Sequence, residues 1–379
     1  MRPSLRTQPI DRPRDLTDRP SSLAAMAPQS PGAPASGAPD PLSDVLRAVR
    51  LRGAIYFYVS CRDEWVAEAP PARAIADTVL PGTEHVLAYH MIVKGSGWAA
   101  TGGVAPVRLA TGDIVMFPRG DAHVISSAPG LRSAMTDIAW VQATAHDPKP
   151  VPVAYRGTLI EPGGTLPGQE ADAVVVCGFI GCDLKPFNPL IDALPRMMRV
   201  AAGGVGDWVG GVLRQAVAES RERRAGSDAL LERASEMMFV DAARRYLDTL
   251  PDEATGWLGG LRDRHVGRAL GMLHAEPAEP WTLDALSRRA GLSRSALHDR
   301  FTHFVGLAPM QYLARWRMQL AAARLRAGHE TIAAIALDVG YESEAAFSRA
   351  FKRLCGAAPS VWRRNDARAA LERGVPESR

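Results

Sequence analysis

The sequence predicts an α+β protein: a β-barrel followed by helices in the first two thirds, and an all-α domain with two helix-turn-helix units in the last third. Three observations predict this fold. Short β-branched and aromatic runs recur between residues 53 and 182, helical apolar periods begin near residue 207, and one helix-turn-helix pattern occurs twice near the C-terminus. A chain of 379 residues is long enough for two folded domains.

Composition and pattern divide the chain into five predicted segments. Residues 1–38 are rich in Pro, Arg, Ser and Ala without an apolar period, so we expect a disordered tail. After it, Asp40 is expected to cap a short amphipathic helix with Pro41 at its first position. The remaining segments are predicted as a barrel domain at 39–200, a helical linker or dimerisation region at 201–255, a double helix-turn-helix domain at 256–366 and a flexible tail at 367–379.

Seven runs in the barrel segment have the composition of strands and are bounded by Gly, Pro, Asp or Ser. They cover residues 54–60, 86–94, 107–109, 114–118, 123–126, 133–141 and 173–180. Many short strands at this spacing favour a sandwich or a jelly-roll barrel. The helical segment that follows has more apolar surface than one small face needs, so we expect it to pack on the barrel, to form a dimer seam, or both.

The C-terminal third repeats one plan at an interval of 49 residues, measured from Gly291 to Gly340. In each unit a capped amphipathic helix ends at a glycine turn, and a second capped helix follows. The expected caps are Thr282, Ser293, Thr331 and Ser343. One hairpin of this kind could belong to any helical bundle, but two copies favour a bipartite reader of DNA.

A continuous helix is predicted between the two units, from Pro309 to Arg326, with Gly328 at its end. At 1.5 Å per residue it is roughly 27 Å long, so it can hold two recognition helices about one DNA turn apart. From Trp281 onward the chain has 16 basic and 9 acidic residues, against 29 and 32 before that point, within a net charge of +4. A basic C-terminal third is what nucleic-acid binding requires.

The remaining composition indicates a cytoplasmic protein. No run of about 18 apolar residues predicts a membrane span, and no apolar secretory signal opens the chain. The cysteines are few for a disulfide framework and fit reduced thiols. They are Cys61, Cys177, Cys182 and Cys355.

A motif in the barrel segment carries a family resemblance. Gly112, Pro118, Gly120 and His123 have the spacing G-x5-P-x-G-x2-H, which resembles the second motif of the cupin superfamily. A strand that enters from a Gly-Asp turn and leaves through a Pro-containing turn is expected to direct His123 into the barrel.

The cupin metal site also needs an earlier motif, and that motif is incomplete in this chain. If Gly95 is its glycine, the position of its glutamate holds Ala88, while His85 and His90 lie nearby but out of register. A tight metal site needs three or four ligands, so no metal and no cofactor are predicted. We instead expect a mostly apolar pocket for a small organic effector, with His85, His90 and His123 among its polar groups.

Cys177 and Cys182 lie five residues apart near the end of the last predicted strand. They could form a redox pair or half of a metal site. The alternative is a pair of small buried residues at a domain edge, which the absence of a C-x-x-C spacing or of a flanking histidine favours.

The C-terminal region resembles the DNA-binding domain of the AraC/XylS family of bacterial transcription regulators. The resemblance rests on Ile332–Tyr341, Phe347–Lys352 and Gly356–Arg363, and the barrel segment is similar to the cupin-type sensor domain of many members. It implies that the first recognition helix reads bases through Ser295, His298 and Asp299, and the second through Glu344, Ala345, Ala346 and Arg349.

Within these sets Arg349 is the strongest candidate for a base contact, because Ala345 and Ala346 offer only methyl groups. The cations expected to hold phosphates are Arg294, Arg300, Lys352 and Arg353. Glu344 and Asp299 would repel phosphate, and could instead be partners of the helix dipole.

The sequence therefore predicts a non-enzymatic transcription regulator whose cupin-like domain senses a small molecule. Its expected partners are double-stranded promoter DNA, an effector, RNA polymerase and a second copy of the chain, at the nucleoid when bound to DNA. Two alternatives remain open at this point: a metal-dependent cupin enzyme fused to DNA-binding helices, and a thiol-based redox-responsive regulator.

Overall fold

The computed structural model describes residues 39–156, 159–164, 166, 170–203, 208–221 and 224–372. The tail predicted at 1–38 lies outside the described residues. The fold is α+β, as predicted, with strands in the first half and helices in the second.

The strands form two sheets. They are β1 (Arg52–Arg62), β2 (Val66–Ala69), β3 (His85–Lys94), β4 (Ser96–Thr101), β5 (Val104–Ala110), β6 (Ile114–Phe117), β7 (His123–Ser126), β8 (Val151–Arg156), β9 (Leu159–Pro162), β10 (Ala173–Cys182) and β11 (Met198–Val200). The larger sheet has the order β11-β6-β3-β10-β1-β8-β9, and the smaller one β2-β7-β4-β5. The strands of the larger sheet pair antiparallel, except that β1 and β8 are parallel.

Most helices cover the outer face of the larger sheet or build the C-terminal third, and two short ones pack on the cavity side. They are α1 (Pro41–Ala48), α2 (Ala76–Val79), α3 (Ile138–Ala143), α4 (Pro189–Ala193), α5 (Trp208–Arg221), α6 (Ser227–Thr249), α7 (Trp257–Arg262), α8 (Arg264–Ala275), α9 (Leu283–Ala290), α10 (Arg294–Val305), α11 (Pro309–Ala327), α12 (Ile332–Asp338), α13 (Glu344–Cys355) and α14 (Pro359–Glu372). No helix of the described ranges is long and apolar enough to cross a membrane.

The prediction of a strand over residues 133–141 is wrong. The carboxylate of Asp137 accepts a hydrogen bond from the N–H of Ala139 and starts α3, so a local cap overrides the β-branched composition. Other strands have compositions that hide them: β4 is rich in Gly and Ala, and β8 contains Pro152. The predicted tail at 367–379 is also corrected, since α14 continues through Glu372; residues 373–379 are outside the described part of the chain.

Helix α6 packs on the outer face of the larger sheet. Ser235 of α6 and Tyr89 of β3 share a buried hydrogen bond of 2.7 Å between their hydroxyl groups. A Cβ at Gly53 would lie 2.5 Å from the carbonyl oxygen of Glu232, so the approach of α6 to β1 requires a glycine there. This helix therefore closes the barrel domain on one side.

The double helix-turn-helix is built as the sequence predicts. The hydroxyl groups of Thr282, Ser293, Thr331 and Ser343 accept hydrogen bonds from the N–H groups of Ala285, Ala296, Ala334 and Ala346. Helix α11 runs unbroken for 19 residues, and Gly328 caps it in the left-handed conformation. The first unit consists of α9 and α10, and the second of α12 and α13.

Candidate functional site

The second recognition helix, α13, presents a basic face to solvent. Phe347 and Phe351 are buried beneath it, while Arg349 and Lys352 are exposed. The side chains of these two cations have no hydrogen-bond or ion-pair partner in the part of the chain that the structure describes. Both are therefore available to an external anion or base. The other candidates of this helix divide by exposure: Glu344, Ala345 and Arg353 are exposed, and Ala346 is half-buried.

The first recognition helix, α10, has a more polar and less basic face. Arg294, Ser295, His298 and Asp299 are exposed. Nδ1 of His298 lies 3.2 Å from the carboxylate of Asp299, so these neighbours form a local polar pair. In the described residues Arg294 has no ion-pair partner.

Arg300, for which a phosphate contact is predicted, forms an ion pair within the protein. Its guanidinium donates hydrogen bonds of 2.5–3.0 Å to the carboxylate of Asp263, whose side chain is only 6% exposed. Asp263 also caps α8 by accepting from the N–H groups of His265 and Val266. Both carboxylate oxygens of Asp263 accept hydrogen bonds from Arg300. The ion pair therefore fixes α10 against the start of α8.

A cavity of about 90 Å³ lies between the two sheets. The larger sheet contributes Phe57, Val59, Ala88, His90, Val153, Tyr155, Val175, Cys177 and Phe179. The opposite wall includes Trp65, Ala67, Ala69, His123, Ile125, Thr136, Trp140 and Val141. None of the described residues that line this cavity is Asp, Glu, Lys or Arg, so its wall is apolar and uncharged.

Three polar side chains of this wall form one chain of hydrogen bonds. Nδ1 of His123 lies 2.9 Å from the carbonyl oxygen of Asp121, which can only accept, so Nδ1 carries the proton. Nε2 of His123 must then accept from Nε2 of His90, at 2.8 Å. Nδ1 of His90 is left as the acceptor of the Cys177 thiol, at 2.9 Å. The arrangement assigns both imidazoles to single neutral tautomers.

Burial keeps the three side chains of this hydrogen-bonded chain uncharged. It lowers the pKa of His123 to about 4, and it lowers the pKa of His90 well below its usual value, with the neighbouring His123 adding to the effect. Burial also raises the pKa of the Cys177 thiol to about 12. At neutral pH the cavity therefore contains a thiol and two uncharged imidazoles.

Two of the predicted pocket and thiol residues lie outside the cavity. His85 is on the other face of β3, where its Nε2 lies 2.7 Å from the carbonyl oxygen of Pro118. Cys182 packs in the core on the outer face of the sheet. Five residues of strand separate the Cα atoms of Cys177 and Cys182 by roughly 16 Å, too far for a disulfide between them, which counts against the redox pair that the sequence left open as an alternative.

The cavity wall also shows where the cupin metal pattern is missing. Ala88, at the position of the pattern's glutamate, faces the cavity two residues before His90. In the described ranges no group of three or more His, Cys, Asp or Glu side chains is placed to hold a metal ion.

A buried ion cluster joins the barrel to the DNA-binding domain. Asp183, directly after β10, accepts two hydrogen bonds from Arg50, of 2.8 and 2.9 Å, and one of 2.8 Å from Arg326 in the last turn of α11. The side chains of Arg326 and Asp183 are 5% and 4% exposed. Asp366 of α14 lies at the edge of the cluster, 3.6 Å from Arg50 and 3.7 Å from Arg326.

Gln319 makes a second connection between the domains from the middle of α11. Its Nε2 donates to the carbonyl oxygen of Ala48 at 2.7 Å, and its Oε1 accepts from the N–H of Phe187 at 3.0 Å. The side chain is completely buried. One amide therefore satisfies backbone groups of α1 and of the segment before α4.

The exposed helix faces follow from the sequence pattern, whereas the residues that join the domains do not. The sequence of α11 gives no indication that Gln319 and Arg326 face the barrel. Side chains alternate between the two faces along β3 and β10. This alternation would predict that His90 and Cys177 are neighbours only if the register between the two strands were already known.

Burial of the neutral His123 predicts a loss of stability in acid. The unfolded imidazole takes up a proton near pH 6.5 and the folded one only near pH 4, so stability falls as the pH drops below 6.5. We expect His123→Gln to reduce the difference in free energy of unfolding between pH 7.5 and pH 5.0 by about 2 kcal/mol. Urea unfolding at the two pH values measures it.

The control is His329→Gln, since His329 is exposed. Its pH dependence should match that of the unaltered protein. The same pH dependence in His123→Gln would contradict the assignment of a neutral buried imidazole.

Comparisons with known proteins agree with this architecture. A family model described as a cupin matches residues 40–248, more than half of the chain, and one described as a helix-turn-helix domain matches 286–365. Proteins named as AraC-like transcription regulators are similar in Streptomyces antibioticus, with 32% identity over 86% of this chain and 99% of the relative, and in Streptomyces lividans, with 31% identity over 86% and 98%.

Among solved structures, ToxT from Vibrio cholerae O395 aligns over 84% of this chain and 97% of its own, with 12% identity and a TM-score of 0.30. The sequence matches with the two Streptomyces regulators and the two family models show that this chain belongs to the AraC family of transcription regulators, with a cupin domain in front of its helix-turn-helix domain.

Proposed function

We propose that the protein regulates transcription by binding promoter DNA with α10 and α13, and that a small molecule in the barrel cavity changes this binding. The observation that carries the proposal is the exposed face of α13, where Arg349 and Lys352 have no partner in the described part of the chain. Two such helices on one rigid rod suit a DNA site with two half-sites about one helical turn apart.

We assign the individual contacts by chemistry. Arg349, in the second turn of α13, is the candidate for bidentate recognition of a guanine, with Ala345 beside it for a thymine methyl group. Lys352, Arg353 and Arg294 would hold phosphates. On α10, Ser295, His298 and Asp299 are the candidate base readers, and Glu344 would accept from a cytosine amine or complement the helix dipole.

The cavity favours an uncharged, largely apolar effector. Its wall has no charged side chain in the described residues, and the donors of the His123, His90 and Cys177 chain are already used. A charged ligand would be desolvated there without compensation. Nε1 of Trp140 is buried without a partner in the described residues, so it is the wall donor that an acceptor on the effector could satisfy.

The route from cavity to DNA would follow β10. Cys177 and Phe179 of this strand line the cavity, and Asp183 at its end binds Arg326 of α11. A ligand that displaces β10 would move the contact that fixes the rod carrying both recognition helices.

The proposed role is regulatory rather than enzymatic. Two observations support this. The relatives are named as transcription regulators, and Ala88 occupies the position at which the cupin metal pattern has a glutamate. One tightly held Fe, Mn or Zn per chain, found by metal analysis of the purified protein, would favour a cupin enzyme instead.

We further propose that the protein acts as a homodimer at the nucleoid, in the cytoplasm, and contacts RNA polymerase at its promoters. Support for a second copy comes from the exposed side chains of Trp208 and Met237, which border a groove between α1 and α6.

Two substitutions in α13 should act differently on DNA. A target duplex is first enriched by the unaltered protein from a random pool. Arg349→Ala should then lose about 1–3 kcal/mol of binding free energy on that duplex and relax its preference at one or two base pairs, because a base contact is removed. Fluorescence anisotropy on single-base variants of the duplex measures both effects.

Lys352→Ala is the matched control. It should weaken binding to target and random duplexes alike. It should also lower by about one the slope of the logarithm of the binding constant against the logarithm of the salt concentration, as expected for a phosphate contact. Equal losses on target and random DNA from Arg349→Ala would contradict the base contact, and no enriched sequence at all would contradict the function.

The coupling contact predicts a large cost for Asp183→Asn. The substitution leaves Arg326 buried without its counter-charge, so the free energy of unfolding should fall by about 3 kcal/mol. Urea unfolding measures it. Asp366→Asn is the control: its side chain is 23% exposed and lies more than 3.5 Å from both cations, so its effect should stay below about 1 kcal/mol. Equal effects of the two variants would contradict a central role for Asp183.

A further inference from the structure

The two helix-turn-helix units have separate hydrophobic cores. Phe301 of the first unit belongs to a core that continues into the barrel, whereas Phe347 and Phe351 of the second unit pack with Met318 and Leu325 of α11. Helix α11 takes part in both cores. Contacts away from the axis of α11 must therefore help to fix how the second unit is turned relative to the first.

Arg317 makes such a contact. Its Nε donates to the carbonyl oxygen of Pro277 at 2.7 Å, and one terminal nitrogen donates to that of Glu279 at 2.9 Å. Both acceptors lie in the segment that leads into the first unit. The other terminal nitrogen donates to the carbonyl oxygen of Gly340 at 3.1 Å, in the turn of the second unit.

The two units also touch directly at this point. Gly340 has a φ of +87°, and a Cβ there would lie 2.7 Å from the carbonyl oxygen and 2.8 Å from the Cα of Ala278. Only glycine permits both the turn and this approach. The turn of the second unit therefore rests against the backbone that enters the first, with the Arg317 guanidinium beside it.

The chemistry of the joint requires arginine. Three carbonyl oxygens of three residues receive hydrogen bonds from one planar group, whose N–H donors point in fixed directions. A lysine ammonium is a point donor on a flexible stem and cannot hold the same three positions with the same rigidity. Since all three nitrogens of the guanidinium donate to carbonyl groups, Arg317 is a positioning residue rather than a phosphate contact.

We propose that Arg317, with Gly340, fixes the mutual orientation of the two units and so sets the spacing that the protein requires between its two DNA half-sites. The inference rests on the proposed function. The recognition helix α13 follows the Gly340 turn by three residues, so rotation of that turn changes where α13 meets the DNA. Half-site spacing is a geometric consequence of where the two helices are held.

The experiment uses the full-length protein and the duplex that it enriches from a random pool. A second duplex carries one extra base pair between the half-sites, and a third retains only the half-site read by α10. For the unaltered protein, the extra base pair shifts one half-site by about 3.4 Å and rotates it, so affinity should fall at least about tenfold.

In Arg317→Ala we expect affinity for the correct duplex to fall by about tenfold, while the penalty for the extra base pair shrinks to less than about threefold. Affinity for the single half-site should equal that of the unaltered protein. A purely structural defect would weaken the single half-site too and would leave the spacing penalty unchanged. That result would overturn the proposal.

Two further variants keep the test decisive. Arg317→Lys retains the charge and should also show a reduced spacing penalty, so full native discrimination in it would overturn the role of the three-carbonyl contact. Arg315→Ala removes an exposed cation from the same helix and should keep the native penalty; a reduced penalty in this control would likewise overturn the assignment to Arg317.

The outcomes also separate this inference from the proposed function. If the unaltered protein enriches no sequence, the proposed function fails and the inference falls with it. If it enriches a bipartite site and Arg317→Ala keeps the native spacing penalty, the function stands and only the inference fails.

Discussion

The barrel and the first helix-turn-helix unit share one hydrophobic core, and the positions of both recognition helices depend on it. The core runs from the outer face of the larger sheet through α1 to Leu297 and Phe301 of α10. Gln319 lies completely buried beside it and binds backbone groups of α1 and of the segment before α4. Because these groups have no access to water, the contact between sensor and reader is costly to open.

Helix α11 connects this core to both helix-turn-helix units and so determines how the two recognition helices are arranged for DNA binding. Its first half packs with the first unit and the barrel, its second half with the second unit, and its last turn reaches Asp183 through Arg326. The barrel cavity is connected to the same contacts, because β10 lines the cavity and ends next to Asp183. Under the proposed function, a change of the barrel would be transmitted through a rigid helix rather than through a flexible linker.

Local signals predicted much of this structure, while long-range pairing remained hidden. The four caps of the helix-turn-helix units depend on residues three positions apart, so the sequence reveals them. Asp137 caps α3 in the same local way, although the β-branched residues around it led to the prediction of a strand. Arg326 and Asp183 are 143 residues apart in the sequence, and Arg300 and Asp263 are 37 apart. The periodicity of apolar residues contains no information about such distant pairs. The exposure of Arg349 and Lys352 therefore follows from the helical period, whereas the ion pair of Arg300 with Asp263 does not.

Amide hydrogen exchange tests the central claim of a shared core most directly. If the barrel and the first unit form one cooperative unit, peptides from α8 and α10 should open with the same free energy as peptides from β10 and α6, while α12 and α13 open in a separate, less costly step. Exchange of α10 together with α13, at a free energy distinct from that of β10, would contradict the account.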